Sequence, residues 1–238
     1  MNQSHSPDDL KSPSLPLLMR EAFAPAEIIS YLLRPAKTRG MPKGDGHPVV
    51  LIPGFGATSL SMRPLKQALI SLGYEAVDWG QGRNMGMRPA IKDALFRLLE
   101  RLHDRHGMKL TLIGWSLGGV FARELARANP QWIRRVITLG SPINGAPDAN
   151  NMMPLFRLAN RGRPPKLDRE GFAKRIVAPP VPCTAMYSRT DGIVAWQACL
   201  EAPADNTENL EVTGSHFALV TNHKVLRLIA QRLRDDAC

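Results

Sequence analysis

Short apolar runs alternate with longer helical patterns from residue 48 onward, and this alternation constrains the fold more than any other feature. Six runs predict strands, at residues 48–52, 75–78, 110–114, 136–139, 184–188 and 210–213. Several runs are apolar throughout rather than at every second position, which is typical of strands buried on both faces. The pattern predicts an α/β fold with a mostly parallel sheet of about six strands and helices on both faces.

Apolar residues recur at helical spacing between these runs. Helices are predicted at residues 61–72, 87–106, 117–128 and 223–234, with a shorter one around 196–200. A further apolar segment, 17–33, predicts an N-terminal helix that ends before Arg34 and Pro35, because the residue before a proline disfavours α geometry. We expect residues 1–16, rich in Ser and Pro, to be a disordered tail and residues 36–47 to be a linker.

One segment, residues 143–180, interrupts the alternation. It is rich in Pro, Arg, Asn and Met and has weak periodicity. A segment of this length inside a compact domain indicates a functional insertion, such as a cap or lid over a binding site. The core domain would then consist of residues 48–142 and 181–238. Seven basic residues outnumber three acidic ones in the insertion, so it carries four of the chain's ten excess positive charges.

A Gly-x-Ser-x-Gly motif, from Gly114 to Gly118, lies where a predicted strand turns sharply into a predicted helix. Side chains at the two glycines would collide with neighbouring backbone in so tight a turn. The turn holds Ser116 in a strained conformation with its hydroxyl at the top of the sheet. The following helix directs its N-terminal amides at any anion formed there. Ser116 is therefore the candidate nucleophile.

A serine needs a general base to become nucleophilic. His216 follows the last predicted strand and precedes the final helix, so it should lie at the same strand-end edge as Ser116. His223 is the main alternative, although its position favours the start of the last helix. We predict that His216 is the base.

The base in turn needs an orienting acid. Asp191 follows the predicted strand 184–188, again at a carboxyl end, while Glu201 and Asp205 in the next loop are alternatives. The order Ser116, Asp191, His216 is the nucleophile, acid and base order expected for a serine nucleophile at such a turn.

An oxyanion hole needs two backbone N–H groups directed at the developing negative charge. Leu117, directly after the nucleophile, should supply one. The loop after the first strand should supply the other from Phe55, because Gly54 allows the backbone to approach closely.

These motifs together resemble the α/β-hydrolase superfamily, specifically bacterial esterase-like and lipase-like serine hydrolases. The resemblance covers most of residues 48–234 and is carried by the segments PVVLIPGFGAT, LIGWSLGGVFARELA, VITLGSP, YSRTDGIV and VTGSHFALVTNHKVL. It implies a triad of Ser116, Asp191 and His216 and an oxyanion hole formed by Phe55 and Leu117. Because little chain precedes residue 48, we expect a reduced sheet of about six strands.

The expected activity is hydrolysis of carboxylic esters, as an esterase or a lipase, through an acyl-enzyme and without a cofactor or metal. The substrate would be a small-molecule or lipid ester. Five residues are predicted to contact it: Trp115, Met152, Met153, Phe156 and Ile193. Two alternatives remain open, an acyltransferase that uses the same triad and a non-catalytic binding protein of the same fold.

Composition limits the partners. The net charge of +10 comes from basic residues spread along the chain, and only 6% of residues are aromatic, which argues against nucleic-acid binding. No apolar run approaches the roughly 18 residues of a membrane span. We expect helix 17–33 to pack against the domain or form a homodimer contact rather than attach peripherally to a membrane. Three cysteines without a disulfide framework and an N-terminus without a signal core predict a cytoplasmic protein, monomeric or homodimeric.

Overall fold

The computed structural model describes residues 10–33, 38–144, 149–160 and 175–235. Its six strands form one parallel sheet in the order β2-β1-β3-β4-β5-β6. The strands are β1 (Pro48–Ile52), β2 (Glu75–Asp78), β3 (Leu110–Trp115), β4 (Ile133–Leu139), β5 (Cys183–Ser188) and β6 (Thr207–Val212). The predicted α/β fold with a six-stranded parallel sheet is confirmed.

Seven α-helices are described within these ranges: α1 (Leu15–Arg20), α2 (Ala24–Leu33), α3 (Ser59–Leu72), α4 (Pro89–His106), α5 (Leu117–Ala128), α6 (Met153–Ala159) and α7 (His223–Asp235). Short 3-10 helices span Glu21–Phe23 and Trp196–Cys199. The four helices predicted within the core agree with α3, α4, α5 and α7 to within two residues at each end. No helix in the described part of the chain has the length and apolar character needed to cross a membrane.

The N-terminal region differs from the prediction. Instead of one helix over residues 17–33, two α-helices flank the 3-10 turn Glu21–Phe23. The break has a local cause, because Pro25 lacks the N–H that would bond the carbonyl of Glu21 in a continuous helix.

The expected disordered tail over residues 1–16 does not hold for its second half. Leu10 is buried in a small apolar cluster with Ile193 and Val194, and α1 begins at Leu15. Residues 1–9 lie outside the described residues, as do residues 36 and 37 of the predicted linker. The remainder of that linker has no regular helix or strand.

Hydrophobic residues cover both faces of the sheet. Along β1, Val49 and Leu51 face the layer formed by α3 and α7, while Val50 and Ile52 face the layer formed by α4 and α5. All five residues of β1 are buried, because alternate side chains enter the two layers. This two-sided burial explains why the strand is apolar throughout.

The strand order creates a crevice at the carboxyl edge of the sheet. From β1 the chain crosses to β2 on one side, whereas β3 to β6 follow on the other. Open α/β sheets bind ligands outside the strand ends where the order reverses in this way. The loops that follow β1, β3, β5 and β6 all emerge at this edge.

Candidate active site

Ser116 occupies the sharp turn between β3 and α5 in the conformation that the motif predicts. Its φ of 54° and ψ of −124° make it the one non-glycine residue with positive φ in the described part of the chain. A Cβ at Gly114 would lie 2.3 Å from the backbone of Gly118, and one at Gly118 would lie 2.1 Å from the carbonyl oxygen of Ile52. Neither position therefore accommodates a side chain, as the sequence analysis anticipated.

His216 and Asp191 form a buried pair beside this turn. Their side chains are 2% and 0% exposed, and Nδ1 of His216 lies 2.6 Å from Oδ2 of Asp191. The other carboxylate oxygen accepts hydrogen bonds from the N–H groups of Ile193 and Val194, each at 2.8 Å. The carboxylate is thus fixed at both oxygens, and it holds the imidazole through Nδ1.

The alternative bases and acids lie elsewhere. His223 begins α7, and Glu201 is buried against Arg123 at 2.8 Å. Asp205 is exposed and precedes β6, which places it at the opposite edge of the sheet from Ser116.

Trp115 contacts His216 directly. Its indole Nε1 donates a hydrogen bond to the carbonyl oxygen of His216 at 3.1 Å, and the two ring centroids are 5.5 Å apart. Trp115 therefore positions the His216 loop as well as lining the pocket described below.

The loop after β1 brings its backbone against Ser116. A Cβ at Gly54 would lie 3.1 Å from Cβ of Ser116, which explains the need for glycine there. The N–H groups of Phe55 and Leu117 have no hydrogen-bond acceptor within the described residues. Both residues line the same pocket as Ser116.

Asn84, which the sequence analysis did not single out, holds this loop in place. Its side-chain amide donates to the carbonyl oxygen of Pro53 at 2.7 Å, and its main-chain carbonyl oxygen accepts from the N–H of Gly56 at 2.7 Å. Asn84 is fully buried. No motif marks it, because its partners lie about 30 residues away in sequence.

Gly140 is a second residue that sequence reasoning missed. It follows β4 with φ 55°, and a Cβ there would lie 3.0 Å from Oδ2 of Asp191 and 3.1 Å from Nδ1 of His216. The positive φ of Gly140 and its close approach to Leu219 and to the His–Asp pair both favour glycine. The signal available in the sequence was a Gly-Ser pair at the carboxyl end of a predicted strand.

An open pocket joins these groups. Ser116 and His216 line it together with Phe55 and Leu117. All five residues predicted to contact substrate also line it: Trp115, Met152, Met153, Phe156 and Ile193. The lining is predominantly apolar. The rings of Phe55 and Phe156 meet edge to face at 5.1 Å, linking the loop after β1 to α6.

Arg123 of α5 ties the insertion to the core. Its guanidinium donates to the carbonyl oxygen of Ile143, where the insertion begins, and to those of Ile176 and Val177 near its end. The same group pairs with Glu201. Burial raises the pKa of Glu201, and the charge of Arg123 opposes that rise. Most of the seven basic residues that the sequence places in this insertion lie outside the described residues.

The buried thiol of Cys199 interacts electrostatically with the Asp191 carboxylate. Burial, with a smaller contribution from the Asp191 carboxylate, raises the pKa of this thiol well above its ordinary value. The thiol therefore stays protonated and is not a rival nucleophile.

A family model described as the alpha/beta hydrolase family matches residues 49–234. Among curated proteins, a pimeloyl-[acyl-carrier protein] methyl ester esterase of Photobacterium profundum is 29% identical over 100 residues, which cover 42% of this chain and 39% of that protein. The polyketide synthase ThaQ of Burkholderia thailandensis is 36% identical over 106 residues, covering 41% of this chain but 5% of its own length. The chain thus matches well under half of either protein.

Solved structures share the fold over most of the chain. One, from work on the metagenome-derived lipolytic enzymes LipS and LipT, superposes with a TM-score of 0.62 and 17% identity, covering 82% of this chain and 96% of that one. A monoacylglycerol lipase from Paleococcus ferrophilus gives a TM-score of 0.57 at 15% identity, with coverages of 82% and 97%. At this identity the likeness shows the fold alone.

Proposed function

Because the chain belongs to the alpha/beta hydrolase family, we propose that it is a serine hydrolase that cleaves carboxylic esters through an acyl-enzyme. One observation carries the proposal. Ser116, which lies in a strained turn, lines the same pocket as His216, and the imidazole of His216 is hydrogen-bonded to the buried carboxylate of Asp191.

In the proposed reaction, Oγ of Ser116 attacks the ester carbonyl while His216 accepts its proton through Nε2. Asp191 accepts the Nδ1 hydrogen bond and so stabilises the imidazolium that forms. The N–H groups of Phe55 and Leu117 stabilise the oxyanion, helped by the N-terminus of α5. His216 then protonates the leaving alcohol, and water activated by His216 hydrolyses the acyl-enzyme.

The pocket lining supports an ester with an apolar acyl group. Met152, Met153 and Phe156 belong to the insertion, whereas Trp115 and Ile193 belong to the core, so an acyl chain would lie between the two. Methionine side chains adapt to ligands of different shape. We therefore assign the described part of the insertion the role of a cap that selects the acyl group.

Two reagents test the proposal, a fluorophosphonate probe and a series of nitrophenyl esters of increasing chain length. The wild-type protein should be labelled and should hydrolyse at least one ester, and Ser116→Ala should do neither. Ser71→Ala, an exposed serine of α3, is the matched control and should behave like the wild type. Absence of labelling and hydrolysis in the wild type would refute the proposal.

The same assay separates hydrolysis from acyl transfer. When a competing alcohol is supplied, a hydrolase still releases mainly free acid, whereas an acyltransferase accumulates the new ester.

A vesicle assay tests the basic charge of the insertion. If that charge favours an anionic lipid surface, high salt should reduce activity on anionic vesicles more than activity on a neutral soluble ester.

A further inference from the structure

Glu21, in the N-terminal 3-10 turn, binds the backbone of two loops that carry candidate active-site residues. The residue is 7% exposed, although it carries a carboxylate. Its Oε1 accepts hydrogen bonds from the N–H of Gly192 at 2.9 Å and from the N–H of His216 at 2.8 Å. Its Oε2 lies 3.4 Å from the N–H of Phe217.

These partners belong to two separate loops. Gly192 directly follows Asp191 in the loop after β5, and His216 lies in the loop after β6. A single oxygen of Glu21 therefore joins the loop of the acid to the loop of the base. Charge-assisted hydrogen bonds of this kind are short and directional, so they restrict both loops at once.

The N-terminal segment is fitted closely to this position. A Cβ at Gly192 would lie 2.2 Å from the carbonyl oxygen of Leu17 in α1, so glycine is required where the helix meets the acid loop. The side-chain amide of Asn151 donates to the carbonyl oxygens of Pro13 at 3.1 Å and Gly192 at 2.8 Å. The helix, the acid loop and the insertion are therefore held together at one point.

We propose that Glu21 is a positioning residue that sets the distance and orientation between His216 and Asp191, and that the 3-10 turn Glu21–Phe23, which carries it, is consequently part of the active-site framework. The proposal rests on the proposed function, because it assigns Glu21 a role in that reaction. Glu21 does not contact the substrate pocket. Its effect on the rate is exerted through the backbone of the two loops.

Two substitutions distinguish the contribution of the Glu21 hydrogen-bond acceptor, Oε1, from the contribution of its negative charge. Glu21→Gln retains an Oε1 that can accept from Gly192 and His216 but removes the charge. Glu21→Asp retains the charge but withdraws the acceptor by one methylene. Small displacements of reacting groups reduce rates by up to about 100-fold. We expect kcat to fall less than about threefold in Glu21→Gln, and roughly 10- to 100-fold in Glu21→Asp and Glu21→Ala, with KM nearly unchanged.

Arg20→Gln is the matched control. Arg20 is the exposed neighbour of Glu21, and within the described residues it makes no hydrogen bond to either loop. Its kcat should equal that of the wild type. Circular dichroism establishes that each variant is folded at the assay temperature. If Glu21→Ala does not fold, Glu21→Asp decides, and a wild-type kcat in that variant overturns the proposal. Equal losses in the Gln and Asp variants also overturn it.

A spectroscopic readout is independent of ester hydrolysis. The proton between Nδ1 of His216 and Asp191 should give a downfield ¹H resonance that is retained in Glu21→Gln and is shifted or broadened by exchange in Glu21→Asp. An unchanged resonance in Glu21→Asp overturns the positioning role. If the wild type hydrolyses no ester, the proposed function fails, while this resonance still reports whether Glu21 positions the pair.

Discussion

Oδ2 of Asp191 lies 2.6 Å from Nδ1 of His216, and this relationship determines what the imidazole can do. An ionised carboxylate only accepts hydrogen bonds, so Nδ1 must carry the proton. Nε2 is then left without a proton in the neutral ring, which is the state that a general base for Ser116 requires. The two backbone N–H donors at Oδ1 keep the carboxylate from rotating away.

We predict that Asp191→Asn lowers kcat by about three to four orders of magnitude. The amide can donate to Nδ1 and thereby stabilise the tautomer with its proton on Nε2, which cannot accept the Ser116 proton. The measurement is the steady-state rate on the best nitrophenyl ester. Asp205→Asn, at the opposite edge of the sheet, should retain the wild-type rate. A loss of less than tenfold in Asp191→Asn would remove Asp191 from the proposed mechanism.

Gly140→Ala tests the close packing against the same pair. A methyl group there, at a φ of 55°, would lie 2.8 Å from Cδ1 of Leu219, 3.0 Å from Oδ2 of Asp191 and 3.1 Å from Nδ1 of His216. We expect kcat to fall about tenfold or more, because the pair must shift to admit the methyl group. The left-handed backbone should also cost about 1 kcal/mol of unfolding free energy.

Gly107→Ala separates these two effects. Gly107 has a similar φ of 60°, but a Cβ there would have nothing within 4 Å. Gly107→Ala should lose only the backbone contribution, about 1 kcal/mol of unfolding free energy in urea, and keep the wild-type kcat. If both variants have equal kcat, contact with the pair is not what requires glycine at position 140.

Asn84→Ala should weaken the proposed oxyanion hole. Without the amide, Pro53 loses a hydrogen-bond donor at 2.7 Å and the N–H of Gly86 loses an acceptor at 3.1 Å, so the loop carrying Phe55 can move. Removal of an oxyanion donor costs about 100- to 1,000-fold, and we expect roughly 10- to 100-fold for its displacement. The loss should be in kcat rather than KM.

Asn206→Ala is the matched control for this experiment. Its side-chain amide also holds a loop, by donating to the carbonyl oxygens of Pro179 and Val181, each at 2.8 Å. It precedes β6, away from the pocket. Both variants should lose stability, but only Asn84→Ala should lose kcat, and an equal fall in kcat would contradict the assignment.

The sequence was sufficient for features that depend on local sterics and burial. Strands such as β1 were predictable because side chains buried on both faces must be apolar at every position. Ser116 was predictable because only a glycine-flanked turn from strand to helix produces its backbone geometry. His216 and Asp191 followed from their positions after parallel strands, since all carboxyl ends meet at one edge.

Features that depend on distant partners were not predictable. Glu21 bonds groups 171 and 195 residues away, and nothing in its own neighbourhood distinguishes it from a solvated acid. The N-terminal break could have been recognised from Pro25, but the burial of Leu10 depends on a cluster formed by the loop after β5. Asn84 and Gly140 were missed for the same reason, because their contacts arise only from packing.

Arg123→Met should destabilise the protein strongly. The change leaves the buried Glu201 without its ion-pair partner. It also removes the donors to the carbonyl oxygens at both ends of the insertion. Breaking a buried ion pair from one side costs about 3–5 kcal/mol. We expect a loss of this size in urea unfolding at neutral pH, and partial recovery in the double variant with Glu201→Gln, since that variant no longer buries an unpaired charge.

Arg127→Met provides the comparison for Arg123. Arg127 also binds the carbonyl oxygen of Arg175, but it is more exposed and its acidic partner, Glu124, is 43% exposed. Replacement of Arg127 should lower the free energy of unfolding by only about 1 kcal/mol or less. Equal costs at the two positions would show that burial of the Arg123 pair does not set its contribution.

Asp45 lies at the amino edge of the sheet in a cluster that links the segment before β1 to β4. Its carboxylate binds Nη1 of Arg134 at 2.7 Å and the ring and backbone N–H of His47, whose Nε2 lies 3.0 Å from Oγ1 of Thr111. Burial raises the pKa of Asp45, but the hydrogen bonds from Arg134 and His47 outweigh it. The pKa therefore lies below its ordinary value of 3.8.

This shift predicts a specific dependence of stability on pH. Since the unfolded chain protonates Asp45 at a higher pH than the native protein does, its stabilising contribution is complete above the ordinary pKa and is lost as pH falls below about 4. Asp45→Asn should lower the free energy of unfolding in urea at pH 7 and make its decline between pH 5 and 3 shallower. Asp78→Asn, which removes a similarly exposed carboxylate paired with Lys66, is the control. If the two variants show the same slope below pH 5, the cluster around Asp45 does not carry the effect.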